Sequence, residues 1–252
     1  MPEPVVTASG PASSHRTVPV SFVRRSRRLS DGQQRLWDEQ RRRYLVDVPR
    51  AAASTSVDPA YRLDLGAVPP GQGPVVVEIG SGQGDAVVAA AGARPGTRFV
   101  AVEVFEPGLA HTARQAAEAG VENLRLVQAN APEVLASALP EASVDELWVF
   151  FPDPWRKARH TKRRLVDQAF LPLAERVLVD GGVLRFASDW EPYAEQVREL
   201  LEAASGFVRD GATTEDGWAP RFEGRVLTGF ERKGTAAGRV VHDLAYARAP
   251  RG

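Results

Sequence analysis

From residue 74 onward, short continuous apolar runs alternate with Ala-rich or amphipathic stretches, a pattern that predicts an α/β fold. Strands are expected over 75–79, 99–104, 124–128, 146–151 and 183–187. The runs are apolar at successive positions, so both faces of the sheet should be covered by helices. Within 146–151, alternation puts Trp148 and Phe150 on one face and Phe151 on the other. Leu165, Val166, Ala169, Phe170, Leu173, Ala174, Val177 and Leu178 fall on one helical stripe. A helix over 165–178 follows, kinked at Pro172 and ended by Gly181-Gly182. Pro107 and Pro192 sit where a first helical turn begins. Upstream, a polar helix is expected over 31–44, and residues 1–20, rich in Pro, Ser, Ala and Thr without a periodic apolar signal, are expected to be disordered.

Charge changes this picture only locally. The 252 residues carry 32 basic and 32 acidic side chains, so no net field draws the chain toward a polyanion. Residues 1–50, however, hold ten Arg against five acids, and residues 156–164 hold six Lys or Arg and no acid. These two stretches are the candidate phosphate contacts. The absence of Cys excludes disulfides, thiolate nucleophiles and Cys-ligated metal centres. The four His show no ligand spacing, so no metal is expected. No apolar run approaches 18 residues, and no leader pattern opens the chain, which implies a cytoplasmic protein without a membrane segment.

The first strand runs into a glycine turn and then an Ala-rich helix: Val75-Val76-Val77-Glu78-Ile79-Gly80-Ser81-Gly82-Gln83-Gly84-Asp85. A dinucleotide site calls for G-x-G-x-x-G, which seats a pyrophosphate on a helix N-terminus. Here the last glycine comes one residue early, and an acid closes the strand. A carboxylate repels a pyrophosphate but suits a cation such as S-adenosylmethionine, which carries a sulfonium and an ammonium. Glu103, ending the second strand, is placed to accept hydrogen bonds from both ribose hydroxyls, or else to cap the next helix. Asn130, after the third strand, is a candidate for the adenine edge. The expected cofactor contacts are therefore Glu78, Gly80, Gly82, Glu103 and Asn130.

After the fourth strand, Phe150-Phe151-Pro152-Asp153-Pro154-Trp155 leads into Arg156-Lys157-Ala158-Arg159-His160-Thr161-Lys162-Arg163-Arg164. Rings stack on an extruded base and cations hold phosphates, so this segment suits RNA, with Trp155 a candidate base contact. The block closely resembles the bacterial tRNA (guanine-N7)-methyltransferase family. Ser21-Phe22-Val23-Arg24-Arg25, the glycine turn, Ala187-Ser188-Asp189-Trp190-Glu191-Pro192-Tyr193 and Thr228-Gly229-Phe230-Glu231 resemble family motifs in the same order, over roughly residues 21–247. Many family members carry Asp where this chain has Asn130.

The resemblance implies a class I, Rossmann-like methyltransferase: a seven-stranded, mostly parallel sheet with a reversed last strand and helices on both faces. It further implies methyl transfer from S-adenosylmethionine to N7 of a guanosine at position 46, in the tRNA variable loop. Asp153 matches the family's acid, implicated in both cofactor binding and catalysis. Lys157, Asp189, Thr228, Gly229, Phe230 and Glu231 match substrate contacts; Arg159, His160, Thr161, Lys162, Arg163 and Arg164 match an RNA-contacting stretch, to which the basic run adds Arg24 and Arg25. The chain then divides into a tail (1–20), a basic RNA-contacting extension (21–60) and a methyltransferase domain (61–252), with monomer and homodimer both open. Three rivals remain: a methyltransferase for a small molecule or protein, which leaves the basic blocks unexplained; an RNA-binding protein on a degenerate scaffold, against which Glu78, Glu103 and Asp153 argue; and a nicotinamide dehydrogenase, disfavoured by the glycine spacing.

Overall fold

The computed structural model describes residues 29–66, 73–211 and 214–252, and the side chains of all of these except 229, 230 and 233. The expected tail, Arg24 and Arg25 lie outside the described residues. Strands β1 (Val75–Ile79), β2 (Arg98–Glu103), β3 (Leu124–Gln128), β4 (Val144–Phe150), β5 (Leu178–Ser188), β6 (Phe207–Arg209) and β7 (His242–Arg248) form one sheet in the order β3-β2-β1-β4-β5-β7-β6. The first five pair in parallel, and β7 runs antiparallel to β5 and β6.

Continuous apolar strands need cover on both sides, and they have it. Helices α1 (Asp31–Tyr44), α2 (Asp85–Ala93) and α3 (Glu106–Glu118) pack on the face presenting Val76, Phe99, Ala101 and Trp148. On the other face, which presents Val77, Ile79, Val149 and Phe186, lie the short α4 (Ala131–Glu133) with its π-helical continuation Val134–Ala138, α5 (Phe170–Val177) and α6 (Glu191–Ala203). A last helix, α7 (Gly229–Ala236), precedes β7. Pro occupies the first turn of both α3 and α6, where its missing N–H costs no helical bond. The strand order reverses between β1 and β4, and in open α/β sheets ligands bind in the crevice beyond the carboxyl ends at such a point.

Three expectations are corrected. The stripe over 165–178 is not one kinked helix: α5 begins only at Phe170, where Asp167 accepts the N–H groups of Ala169 and Phe170 at 2.9 and 3.0 Å. Pro172 therefore lies in a first turn, where it forces no kink. Leu178 already belongs to β5, and Gly181-Gly182 fall in an irregularity within that strand rather than ending a helix. Finally, Phe151 does not take the face opposite Phe150. Its φ of +51° breaks the alternation, and it packs with Trp148 and Phe150 against the same cluster.

The segment that carries α1 packs on α3 and on the edge strand β3. Ser30 and Gln33 form a capping box at the start of α1. Trp37 and Tyr44 are buried against α3, with the Trp37 indole N–H donating to Glu106 at 3.0 Å and the Tyr44 hydroxyl to the Val121 carbonyl at 2.8 Å. Val46 N–H then bonds Leu126 O, at the outer edge of the sheet. Trp37→Ala should cost about 3 kcal/mol in urea unfolding, as for a large core truncation. A loss under roughly 1 kcal/mol would show that α1 is only laid on the surface.

Candidate functional site

Local sequence builds the floor of the site. After β1 the chain turns with Gly82 at φ +58° and Gly84 at φ +82°, conformations open to glycine. At Gly84 a Cβ would also lie 2.4 Å from Thr112, so this turn rests directly on α3. Gly82 N–H donates to Glu103 at 2.9 Å, while the other oxygen of Glu103 accepts from Val104 and Phe105 at 2.7 and 2.9 Å. Glu103 thus ties the glycine turn to the start of α3.

Glu78 ends β1 facing a cavity of about 420 Å³ lined by Gly80, Gly82, Asp85, Phe150, Phe151 and Thr228. It is 4% exposed, and one of its carboxylate oxygens has no hydrogen-bond partner, as is also true of the neighbouring Ser81 hydroxyl. Burial, reinforced by the charges of Glu103 and Asp85, pushes the Glu78 carboxyl up to about 8. Glu103 is likewise raised by burial, against the N–H groups that bind it, and Asp153 adds to the rise. Carboxylates from the ends of β1 and β2 and from the loop after β4 therefore act on one another. An unpartnered buried oxygen among further acids calls for a cation with donor groups. The carboxyl ends, the glycine backbone and the acids fit S-adenosylmethionine, whose ammonium and sulfonium match that charge. Among the sequence candidates, Glu78, Gly80, Gly82 and Thr228 meet at this cavity. Asn130 does not line it: it is buried, with its side-chain N–H₂ donating to Glu133 at 3.1 Å.

The loop after β4 is held between two unusual backbone positions. Phe151 at φ +51° and Trp155 at φ +42° are non-glycine residues in the left-handed region, a conformation that costs about 1–3 kcal/mol each and persists only where the surroundings enforce it. At the first, Phe151 N–H bonds Ala187 O at 2.8 Å. Asp153 is exposed between them and borders a smaller recess of about 280 Å³ with Trp155, Arg156, Lys157 and His160. A 3₁₀ turn, Ala158–Arg163, presents the basic run. Arg163 lies 5.1 Å over the Trp155 ring and Arg156 lies 4.4 Å over Trp190. Arg164 departs from the expected RNA-contacting role: it is 5% exposed and its guanidinium donates to the Pro154 carbonyl, not outward.

The returning segment before β7 closes the site through ion pairs that sequence reasoning missed. Arg225 is fully buried, donates to both Glu231 and Asp243, and lies 5.3 Å from the Phe150 and Phe151 rings. Arg221 also binds Glu231, at 2.9 Å. Glu231, expected to touch substrate, is 3% exposed and spends its carboxylate on these two arginines. The Thr228 hydroxyl accepts the Glu231 N–H at 3.1 Å, capping α7 beside the cavity. Asp189 pairs with Arg239 at 2.7 Å. The Gly229 backbone opens α7, and the side chain of Phe230 lies outside the described residues. Among the described residues no group of three or more His, Asp or Glu could hold a metal, and no helix is long and apolar enough to cross a membrane.

A doubly wound sheet with a reversed last strand, a glycine turn after β1 and an acid closing β2 defines a class I methyltransferase. Solved structures of that fold agree: the chain aligns with a 16S rRNA methyltransferase, KamB, at TM-score 0.51 and 18% identity over 93% of this chain and 99% of that one. An antibiotic-resistance methyltransferase, Kmr, aligns at TM-score 0.50 and 20% identity over 81% and 99%. A family model described as "Putative methyltransferase" matches residues 72–244. The tRNA (guanine-N(7)-)-methyltransferase of Paenarthrobacter aurescens is 46% identical over 91% of both chains, and that of Sodalis glossinidius 42% over 90% of both. This chain belongs to the tRNA (guanine-N(7)-)-methyltransferase family.

The raised Glu78 carboxyl has a consequence for stability. Between about 4.5, its ordinary value, and about 8 the ligand-free folded chain binds more protons than the unfolded one, so Glu78 makes stability fall as pH rises through that window. Glu78→Gln should remove this component, leaving the variant more stable than wild type near pH 8 by on the order of 5 °C in Tm. Thermal melts at several pH values check it; parallel curves for the two proteins would show that Glu78 is not held protonated.

Proposed function

We propose that this protein transfers a methyl group from S-adenosylmethionine to N7 of a guanosine in tRNA, at position 46 of the variable loop, in the cytoplasm. One observation carries the reading: a buried acid with an unpartnered oxygen faces a cavity walled by Phe150 and Phe151, from which the chain leads directly into the Asp153 loop and a basic turn.

When bound, S-adenosylmethionine supplies a methyl group on a sulfonium centre. Glu78 and the Gly80–Gly82 backbone hold the cofactor's cationic amino-acid end, and Glu103 serves its ribose from the end of β2. Asn130 is buried with its backbone N–H on Thr55 O and its side chain on Glu133, so the adenine edge is left to other groups. Guanine N7 carries an exposed lone pair and needs no base to deprotonate it. The chain's task is alignment, which can lower a barrier by roughly 7 kcal/mol or more. Methyl transfer to N7 would leave the purine cationic, the methyl–donor bonding pair staying with the donor, and would involve no net proton transfer. Asp153, and Asp189 once released from Arg239, stabilise that charge by accepting from the guanine N1 and N2 donors. Lys157, in the recess beside Asp153, and Thr228, at the cavity of Glu78, would contact the substrate together with the Gly229-Phe230-Glu231 segment, while Arg24, Arg25, Arg159, His160, Thr161, Lys162 and Arg163 would approach the RNA backbone.

Incubating the protein with labelled S-adenosylmethionine and unmodified tRNA, then cleaving at alkali-labile sites, tests the reading directly. Label is expected at one variable-loop guanosine, and Asp153→Ala should lower turnover by about two orders of magnitude while tRNA binding is kept. Label on a small molecule or protein instead, or no transfer at all, would overturn it.

A further inference from the structure

The basic run ends in two adjacent arginines that the fold sends in different directions. Arg163 belongs to the 3₁₀ turn and stacks on Trp155, whereas the chain reverses at Arg164, whose N–H bonds Thr161 O at 2.9 Å, and the Arg164 side chain enters the protein. There its Nε donates to the Pro154 carbonyl at 2.9 Å, and Nη1 donates to the Pro192 carbonyl at 3.4 Å and to the Gln196 side-chain oxygen. The guanidinium lies 4.7 Å over the Tyr193 ring, and the Tyr193 hydroxyl in turn accepts Val166 N–H at 2.8 Å. One planar side chain thus joins the carbonyl next to Asp153 to the first turns of α6, the helix that begins just after Asp189.

We propose that Arg164 is a positioning residue for methyl transfer, which fixes the Asp153 loop against α6 rather than binding RNA phosphate. The proposal rests on the reading of Asp153 as the acid at the reacting centre. Its physical basis is the strained backbone on either side of that acid. At Phe151 the loop is anchored by the hydrogen bond to Ala187 on β5. At Trp155, the second left-handed residue, the anchor is the bond from Arg164 to the preceding carbonyl. Without it that end keeps the ring contacts of Trp155 with Arg163 and His160 but loses the backbone tie beside the φ of +42°, and the loop loosens. Asp153 then loses its fixed place relative to Asp189 and the cavity of Glu78. A planar fork is needed for this. Lys carries the same charge, but it has one nitrogen and no flat face, and cannot reach the carbonyls of Pro154 and Pro192 together while stacking on Tyr193.

The decisive comparison is Arg164→Lys, which keeps the charge, against the double variant Lys162→Ala with Arg163→Ala, which removes charge from the turn. At saturating tRNA and S-adenosylmethionine, Arg164→Lys should lower kcat by at least about tenfold, the scale expected for a displaced catalytic group. Its tRNA Kd should stay within about twofold of wild type with the same salt slope, whereas the double variant should bind more weakly and lose on the order of one to two units of that slope. Amide exchange across residues 155–164 of the ligand-free protein should quicken in Arg164→Lys alone. Wild-type kcat in Arg164→Lys overturns the proposal, as does a lowered salt slope in it. Should that variant not fold, Gln196→Ala, which removes one acceptor, takes its place: a lowered kcat at unchanged tRNA affinity supports the proposal, and unchanged kcat overturns it. If wild type itself methylates no tRNA, the functional reading fails separately, and unchanged amide exchange in Arg164→Lys would still refute the anchor.

Discussion

Glu78 ends the central strand with one carboxylate oxygen unpartnered, and the ionisable groups that act on it, Glu103 and Asp85, are acids too. Folding alone does not satisfy such a cluster. A unit charge paired at about 4 Å is worth ~4 kcal/mol at an effective dielectric of 20, so a cation placed there recovers much of what burial costs. In its absence the group is held partly protonated, with its carboxyl up to about 8. The site therefore selects for positive charge before shape is considered. The same constraint fits the departure of the glycine turn from a pyrophosphate-binding pattern: the Gly80 and Gly82 N–H groups are spent on Val102 O and Glu103, and the strand-end acid repels a phosphate.

Around that charged floor, the fold spends ion pairs and backbone strain on holding the rim. Arg225, wholly buried between Glu231 and Asp243, binds the end of the returning segment to β7 and rests on the Phe150 and Phe151 rings that wall the cavity. Removing one partner of such a pair leaves a buried charge uncompensated, so these residues act together. The loop carrying Asp153 is strained at both ends and pinned at both ends. Floor, wall and loop all lie at the carboxyl ends of the strands, at the point where strand order reverses.

Local features were readable in the sequence and long-range ones were not. The strands β1 to β4, the glycine turn, α1, and the prolines opening α3 and α6 depend on residues close together in the chain. The 165–178 stripe misled because an apolar run crossing from α5 into β5 has no mark at Leu178; the switch is set by pairing with Val144. Arg163 and Arg164 look alike in a run of six cations, and only the reversal at Thr161 separates a surface side chain from an interior one. Arg225 has no local signature, since its role depends on Asp243, 18 residues on, and on rings from β4 and the loop after it. The reversed last strand came only through family resemblance.

The central claim is that an ionised Glu78 and its neighbours bind a cation. Titration calorimetry of S-adenosylmethionine binding across pH 6 to 9 tests it most directly. Because Glu78 must lose its proton to pair with the ligand, affinity should rise with pH up to about 8 and then level, by as much as tenfold per pH unit, with protons released on binding. Glu78→Gln should bind more weakly and show no such rise. An affinity independent of pH, equal in wild type and Glu78→Gln, would contradict the account.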